Sequence, residues 1–415
     1  MPRLEWDSKT VAAPAAGTLR VDSLIYPQGT GYPHVQPENQ LILGDNLVVM
    51  STLLAEYAGK VDLIYADPPF FTQKRYPARI GRGEDSRRPQ EWKLAEGYPD
   101  AWPTLDAYLD MLYPRLSLMH QLLSPTGTLY LHLDWHASAY ARLLLDEIFG
   151  AERLLNEIAW VYHGPSPIRS AFNRKHDTIL VYTKSEHYIF NVDAVRQPYN
   201  EVTVKTFNSS PKAGFGKMPD LTRGKVPEDW WYFPVVARMH NERSGYPTQK
   251  PEALLERIIL ASSNPGDRVA DFFCGSGTTL AVAARLGRRV IGSDIASRAV
   301  KTCQARLVRQ SSMPFALLVE QAQMDDWSFG ESNQGTDLKL SVEGDLVRLV
   351  GNDFERVDYW EVDPNWDGQI FRSAIQAVRP LRKGDVSHEV ILPTDPRAKI
   401  VGRWVDASGG LFTIR

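Results

Sequence analysis

Few folds can accommodate residues 268–294. A Pro265-Gly266-Asp267 turn precedes the apolar run Val269-Ala270-Asp271, and Phe272-Phe273-Cys274-Gly275-Ser276-Gly277 then leads through Thr278-Thr279 into an Ala-rich helix from Leu280 to Leu286. A second apolar strand, Arg289-Val290-Ile291-Gly292-Ser293, ends in Asp294. Strand, Gly-x-Gly loop, helix, strand and terminal acid make a nucleotide-binding βαβ unit, which belongs in a parallel sheet covered by helices on both faces. Asp294 comes about 20 residues after the first glycine, the spacing at which a carboxylate accepts from ribose hydroxyls. The third glycine of the dinucleotide fingerprint is absent, because Leu280 follows the two threonines. A ligand without a pyrophosphate has no use for it.

A second stretch, Asp67-Pro68-Pro69-Phe70, follows the buried-strand pattern Val61 to Ala66. The acid therefore sits at the carboxyl edge of a sheet, where open α/β proteins place ligands. Two prolines with fixed φ and no N–H turn carbonyls outward with no ladder to join. One carboxylate, an aimed carbonyl and an aromatic face suit a flat base bearing an exocyclic amino group. Two acceptors drawing on its two N–H bonds localise the nitrogen lone pair and make the nitrogen a nucleophile. Taken alone, the stretch reads equally as a strand-ending turn. S-adenosylmethionine, an adenosine joined to a sulfonium and an amino-acid tail, is a pyrophosphate-free ligand that fits the Gly-x-Gly loop. An NAD-dependent oxidoreductase would also use Gly-x-Gly plus an acid, but it leaves Asp67 to Phe70 unexplained.

With these two motifs in this order, the chain resembles the amino-methyltransferases of DNA in the permuted arrangement called the beta class. The resemblance runs from about Leu41 to Leu307. It includes Leu43-Gly44-Asp45-Asn46, the run His176 to Ser185, and Pro247-Thr248-Gln249-Lys250-Pro251. Asp271-Phe272-Phe273 looks most like the modification subunits of type III restriction systems, where many relatives carry Asp-Pro-Phe. The resemblance implies a Rossmann-like α/β sheet with helices on both faces and S-adenosylmethionine as cofactor. Asp67, Pro68, Pro69 and Phe70 would act on the base. Asp45, Thr248, Lys250, Asp271, Phe273, Gly275, Gly277, Thr278 and Asp294 would hold the cofactor, with Asp45 facing its adenine and Lys250 near its methionine end. Locally, Asp45 reads equally as a turn or helix cap and Lys250 as a surface lysine at a helix start. Asp rather than Ser at the head of the motif leans toward the 6-amino group of adenine in DNA. The 4-amino group of cytosine is the alternative, and a catalytically silent DNA-binding accessory protein is the alternative of a different class.

The net charge of −3 and pI near 6.3 do not mark a nucleic-acid binder, so basic surface must be local. It is expected in the Phe71 to Lys93 loop, with Arg79, Arg82, Arg87 and Arg88 among interleaved aromatics, and at Arg174 and Lys175. Double-stranded DNA is the expected partner; a second copy of the chain and a restriction-system partner stay open. His132, Asp134 and His136 alternate at a strand end, but no further His or Cys cluster supports a metal, and they read as polar packing. Only Cys274 and Cys303 are present, which fits a reducing cytoplasm, and no apolar run is long enough to span a bilayer. Residues 1–38 read as an Ala/Pro/Gly-rich arm, 39–327 as the methyltransferase domain with a target-recognition insertion around 163–245, and 337–415 as a small all-β, sandwich-like C-terminal domain.

Overall fold

The computed structural model describes residues 3–10, 15–80, 93–164, 168–209, 220–236, 242–310, 313–325, 327–331, 337–381, 384–394, 399–406 and 410–414, apart from the side chains at 78–80, 93–97, 330 and 331. The first half runs β1 (Leu19–Ile25), β2 (Asn39–Leu43), α1 (Asn46–Tyr57), β3 (Val61–Ala66), β4 (Lys74–Ile80), β5 (Lys93–Asp100), α2 (Leu105–Leu122), β6 (Leu123–Leu133), α3 (Ser138–Phe149), β7 (Leu154–Val161) and β8 (His176–Thr183). There follow α4 (Glu201–Ser209), β9 (Trp230–Tyr232), α5 (Glu252–Ser262), β10 (Arg268–Asp271), α6 (Thr278–Arg285), β11 (Arg289–Asp294), α7 (Ser297–Gln310) and β12 (Phe315–Glu320). The described C-terminal part consists of strands and one short 3-10 turn (Phe354–Arg356): β13 (Gly330–Glu331), β14 (Lys339–Glu343), β15 (Leu346–Val350), β16 (Val357–Asp363), β17 (Phe371–Ser373), β18 (Ile375–Val378), β19 (Glu389–Ile391), β20 (Val401–Asp406) and β21 (Leu411–Ile414).

Among the described residues one sheet runs β17-β1-β12-β2-β11-β10-β3-β6-β8-β7-β9. Its middle, from β12 to β6, is parallel at every step. Near-continuous apolar strands follow from burial on both faces: Leu63 and Tyr65 pack with α5, α6 and α7, while Ile64 and Ala66 pack with α1, α2 and α3. The fold is therefore three layers, α/β/α, as the sequence implied. Because β2, β11, β10 and β3 are adjacent and parallel, Asp45, Asp294, the Gly275 loop and Asp67 all emerge at one carboxyl edge. No helix among the described residues is long and apolar enough to cross a membrane.

Four sequence expectations need correction. Residues 19–25 are not part of a loose arm: β1 pairs antiparallel with β12 and parallel with β17. Both partners lie some 300 residues away, and the strand buries only Ser23 and Ile25 outright, so its local pattern is faint. The stretch after Phe71 is a hairpin, β4 against β5, rather than a simple loop, with a register shift at Pro77 that blurs the alternation. The insertion at 163–245 is not continuous, since β8 pairs with both β6 and β7 inside the main sheet.

The C-terminal part does form two small sheets, β13-β21-β20-β16-β18 and β14-β15-β19, around Trp360, Trp404 and Val347. It is not separate, however. β17 joins the main sheet, and Tyr359, Val405 and Leu411 share a core with α7. Alternation along β16 explains this, Trp360 facing the small core and Tyr359 facing α7, where Gln304 donates to its hydroxyl.

If β1 is a structural strand, Ile25→Ala should lower stability by about 2–5 kcal/mol, the usual loss for a buried aliphatic truncated to Ala. Urea unfolding checks this; an unchanged midpoint would return residues 19–25 to a loose arm.

Candidate active site

At the end of β3 the chain turns through Asp67 to Phe70. Lys250 Nζ donates to Asp67 Oδ2, and Asp67 Oδ1 is a buried acceptor without a protein hydrogen-bond partner among the described residues. Pro69 O accepts from Tyr108 Oη at 2.9 Å, which fixes the second proline on α2. Phe70 lies with its ring 5.3 Å from Lys250 Nζ and 5.8 Å from the His132 ring. Beyond it, Phe71 and Gln73 adopt left-handed φ of 67° and 59°. Such φ is costly for residues with a Cβ and persists only where surroundings over-determine it. Asp100, buried at the end of β5, supplies that restraint, accepting from Phe71 N, Thr72 N and Thr72 Oγ1 at 2.6–3.0 Å.

The Gly275 loop is held from two sides. Asp271 Oδ1 accepts from Phe273 N at 3.0 Å and its Oδ2 from Thr279 Oγ1 at 2.6 Å. Asp294 accepts from Gly275 N and Ala296 N, each at 2.9 Å. Gly275 and Gly277 have φ of 49° and 73°, and a Cβ at Gly277 would run into Cys303 Sγ on α7. Gly277 thus serves helix packing rather than ligand contact. Thr278 is likewise occupied, bonding Lys250 O at 3.3 Å and Arg306 Nη1 at 2.8 Å. Asp45 caps α1, as its local reading expected, accepting from Leu47 N at 2.9 Å; it also pairs with Arg115 at 2.7 Å and lines a cavity.

That cavity, about 350 Å³, lies over the carboxyl edges of β2, β11 and β10 and is lined by Asp45, Phe273, Gly275 and Asp294 among others. A second cavity of about 350 Å³ lies beside it, lined by Phe70, Asp134, Trp160, Tyr162 and Asp177. Asp67, Lys250, Thr248, Tyr98 and Tyr246 border both. Asp67 therefore stands between a nucleoside-sized space and an aromatic-walled one, with its unpartnered oxygen buried. Lys250, expected near the cofactor's methionine end, borders that cavity with its ammonium bonded to Asp67. Thr248, also expected there, has φ of 57° and bonds Tyr98 Oη at 3.1 Å.

Some participants escape the sequence motifs. His132 is fully buried between Tyr65 Oη (2.7 Å to Nδ1) and Asp177 Oδ2 (3.3 Å to Nε2), and Tyr162 Oη donates to Asp177 Oδ1 at 3.0 Å. Burial alone would raise the Asp177 pKa, but the contacts to His132, with help from Lys250 and Tyr162, hold it below the usual carboxylate value. The polar-packing reading of His132 fits these contacts; Asp177 lies within the run His176 to Ser185, which carried no residue-level role, and Tyr65 stands two residues before Asp67 on β3. Of the basic residues expected at DNA, Arg174 stacks over the exposed Trp135 at 4.0 Å, and Lys175 O accepts from Tyr162 N at 3.0 Å. Arg82, Arg87, Arg88 and the side chain of Arg79 lie outside the described residues. In the 190–245 region Arg223 is paired with Asp193 and Lys225 with Glu228, so those two cations are already engaged.

Two cavities at one sheet edge, sharing a wall with an orphan carboxylate oxygen, define an enzyme that brings a nucleoside-bearing ligand against a flat second substrate. The family follows from comparison. The model of a DNA methylase family matches residues 61–305, which span both motifs, and the chain belongs to that family. It is 34% identical over 271 residues to the DNA adenine methyltransferase YhdJ of Escherichia coli, covering 64% of this chain and 82% of that protein. It is 29% identical over 376 residues to the Type II methyltransferase M.EcaI of Enterobacter cloacae, covering 76% and 77%. Among solved structures, the M1.HpyAVI–SAM complex matches at 21% identity over 65% of this chain and 98% of that one, with a TM-score of 0.43.

Burial pushes the Asp271 carboxyl up to about 7, against the opposing bonds from Thr279 and Phe273. Between pH 4 and 7 the folded chain therefore holds a proton that the unfolded chain has lost, and stability falls as pH rises through that window. Asp271→Asn removes the titration while keeping groups able to bond Phe273 N and Thr279. Relative to wild type, its stability should climb across the window, by about 1.4 kcal/mol per unit of pKa difference. Denaturation at several pH values checks this; parallel curves would remove the buried proton from Asp271.

Proposed function

We propose that the chain transfers a methyl group from S-adenosylmethionine to the 6-amino group of an adenine flipped out of double-stranded DNA. The observation that carries this reading is the Asp67 pair of oxygens: Oδ2 anchored by Lys250, Oδ1 buried and unclaimed at the wall between the cavities. A buried acceptor without a donor costs free energy, so the site is built for a donor that arrives with a ligand. An exocyclic amino group supplies it. The relative named as a DNA adenine methyltransferase, and the Asp at the head of the motif, support adenine over cytosine. A base inside a duplex cannot reach this wall, so it must leave the stack.

The cofactor cavity fits its proposed occupant on the residues themselves. Asp294 ends β11 with oxygens at the cavity edge, Phe273 and Ile295 offer apolar walls to an adenine, and Asp45 stands at the mouth of β2. S-adenosylmethionine would supply an electrophilic methyl on a positively charged sulfur. The chain's own residues do the rest. Asp67 Oδ1 accepts one amino N–H and the Pro68 carbonyl the other, so the nitrogen lone pair turns toward the cofactor cavity. Phe70 stacks on the base. Charge that develops on nitrogen during transfer faces the Asp67 carboxylate, whose position is already set by Lys250. Most of the acceleration then comes from alignment of the two reactants across the shared wall. The relatives' Type II names support a place beside a restriction nuclease, and the cytoplasm is the proposed location.

Asp67→Ala should leave cofactor binding, read by calorimetry, and DNA binding largely unchanged while single-turnover methyl transfer falls about a hundredfold or more. Phe70→Ala should weaken capture of the base by about 1–3 kcal/mol. Sequencing of methylated bases in DNA from cells expressing the chain gives the target site, and nucleoside mass analysis should give N6-methyladenine. A product methylated on the 4-amino group of cytosine would overturn the base assignment, and near-normal turnover by the Asp67 variant would sink the mechanism.

A further inference from the structure

Extruding a base leaves a gap in the duplex, and closing that gap with a flat side chain holds the base outside. The rim of the base cavity carries a side chain placed for this. Phe172 is 98% exposed, on the segment that leads from the end of β7 to β8. Among the described residues almost nothing covers this ring. Its position follows from its neighbours. Arg174, two residues on, stacks over Trp135 at 4.0 Å, and Trp135 adjoins Asp134 of the cavity lining. Lys175 O accepts from Tyr162 N at 3.0 Å, and Tyr162 and Asp177 line the same cavity. The returning end of the segment is thus pinned at the rim on two sides, and two residues of chain span about 7 Å at most. Phe172 is therefore held within about two residues of that rim, with the exposed cations Arg169 and Arg174 close to it in sequence and of the right charge to meet phosphates.

We propose that Phe172 enters the duplex in place of the extruded base and stacks between its former neighbours. The inference rests on the reading that the chain flips a base in duplex DNA. The test uses the full chain and a synthetic duplex bearing the site found by sequencing, with the target adenine either paired or facing a mispaired base. Extrusion of a mispaired base costs less, so a side chain that holds the extruded state matters less there. On the paired duplex Phe172→Ala should slow single-turnover transfer about tenfold to a hundredfold, the scale of one lost aromatic stack. On the mispaired duplex the deficit should shrink to a few-fold, and Phe172→Trp should restore most of the rate on both. Thermal midpoint and cofactor affinity should stay at wild-type values, because the side chain touches neither core nor cofactor cavity. Wild-type rates for Phe172→Ala on the paired duplex would overturn the proposal. So would an equal deficit on both duplexes, which would assign Phe172 to general docking or to contact with another protein. A wild-type chain that methylates neither duplex would overturn the functional reading, and this inference with it.

Discussion

The ion pair between Lys250 and Asp67 joins segments 183 residues apart and sits where both cavities meet. Both side chains are largely withdrawn from water, so their desolvation offsets much of their attraction. The pair is better understood as a device for position than as a source of stability. It fixes one carboxylate oxygen and leaves the other free, which is what an acceptor for a single incoming N–H requires. Neighbouring bonds extend the constraint. Thr278 at the start of α6 bonds the Lys250 carbonyl, Arg306 of α7 reaches both Thr278 and Glu252, and Glu252 opens α5. Three helices on one face of the sheet are thereby registered to the catalytic wall.

The adjacency of β3 and β10 makes this possible, and it does not depend on their order along the chain. Val269 and Ala270 pair with Leu63 and Ile64, so the turn after one strand and the loop after the other emerge side by side. A permuted chain reaches the same arrangement because parallel strands present their carboxyl ends to the same edge whichever comes first. The intervening residues then supply what neither motif contains: the hairpin root with Tyr98 and Asp100, and His132 and Asp177, which link to Tyr65 on β3 beside the aromatic-walled cavity.

Much of the central layer was legible because its signals are local. Val61 to Ala66, Val269 to Asp271 and Arg289 to Asp294 each carry their burial pattern within one segment. What could not be read depends on distant partners. β1 is recognisable as a strand only once β12 and β17 lie beside it. The hairpin was obscured by Pro77 and by charged residues that outweigh its alternation. In the site, residue types were legible but not their pairings: a lysine after Thr248-Gln249 could equally meet a cofactor carboxylate, and only the fold turns it onto Asp67. Asp271 was expected at the ligand, and it lines the cavity while its two oxygens also hold the loop through Phe273 N and Thr279 Oγ1; the fit of Gly277 against Cys303 is a packing role that the motif alone does not reveal.

Strain at the wall completes the picture. Phe71, Gln73 and Thr248 all hold left-handed φ, each at a cost of roughly 1–3 kcal/mol, and all three flank the Asp67–Lys250 pair in sequence. Asp100 clamps the first of these turns, and the Tyr98 hydroxyl bonds the third at Thr248. A wall this tightly determined cannot adjust much to its ligands, so the ligands must arrive already aligned with it. In-line methyl transfer needs little from a protein beyond that alignment and a negative charge where positive charge forms. In the proposed reaction the rigid wall would provide the first and Asp67 the second, while His132, close by, is engaged with Tyr65 and Asp177.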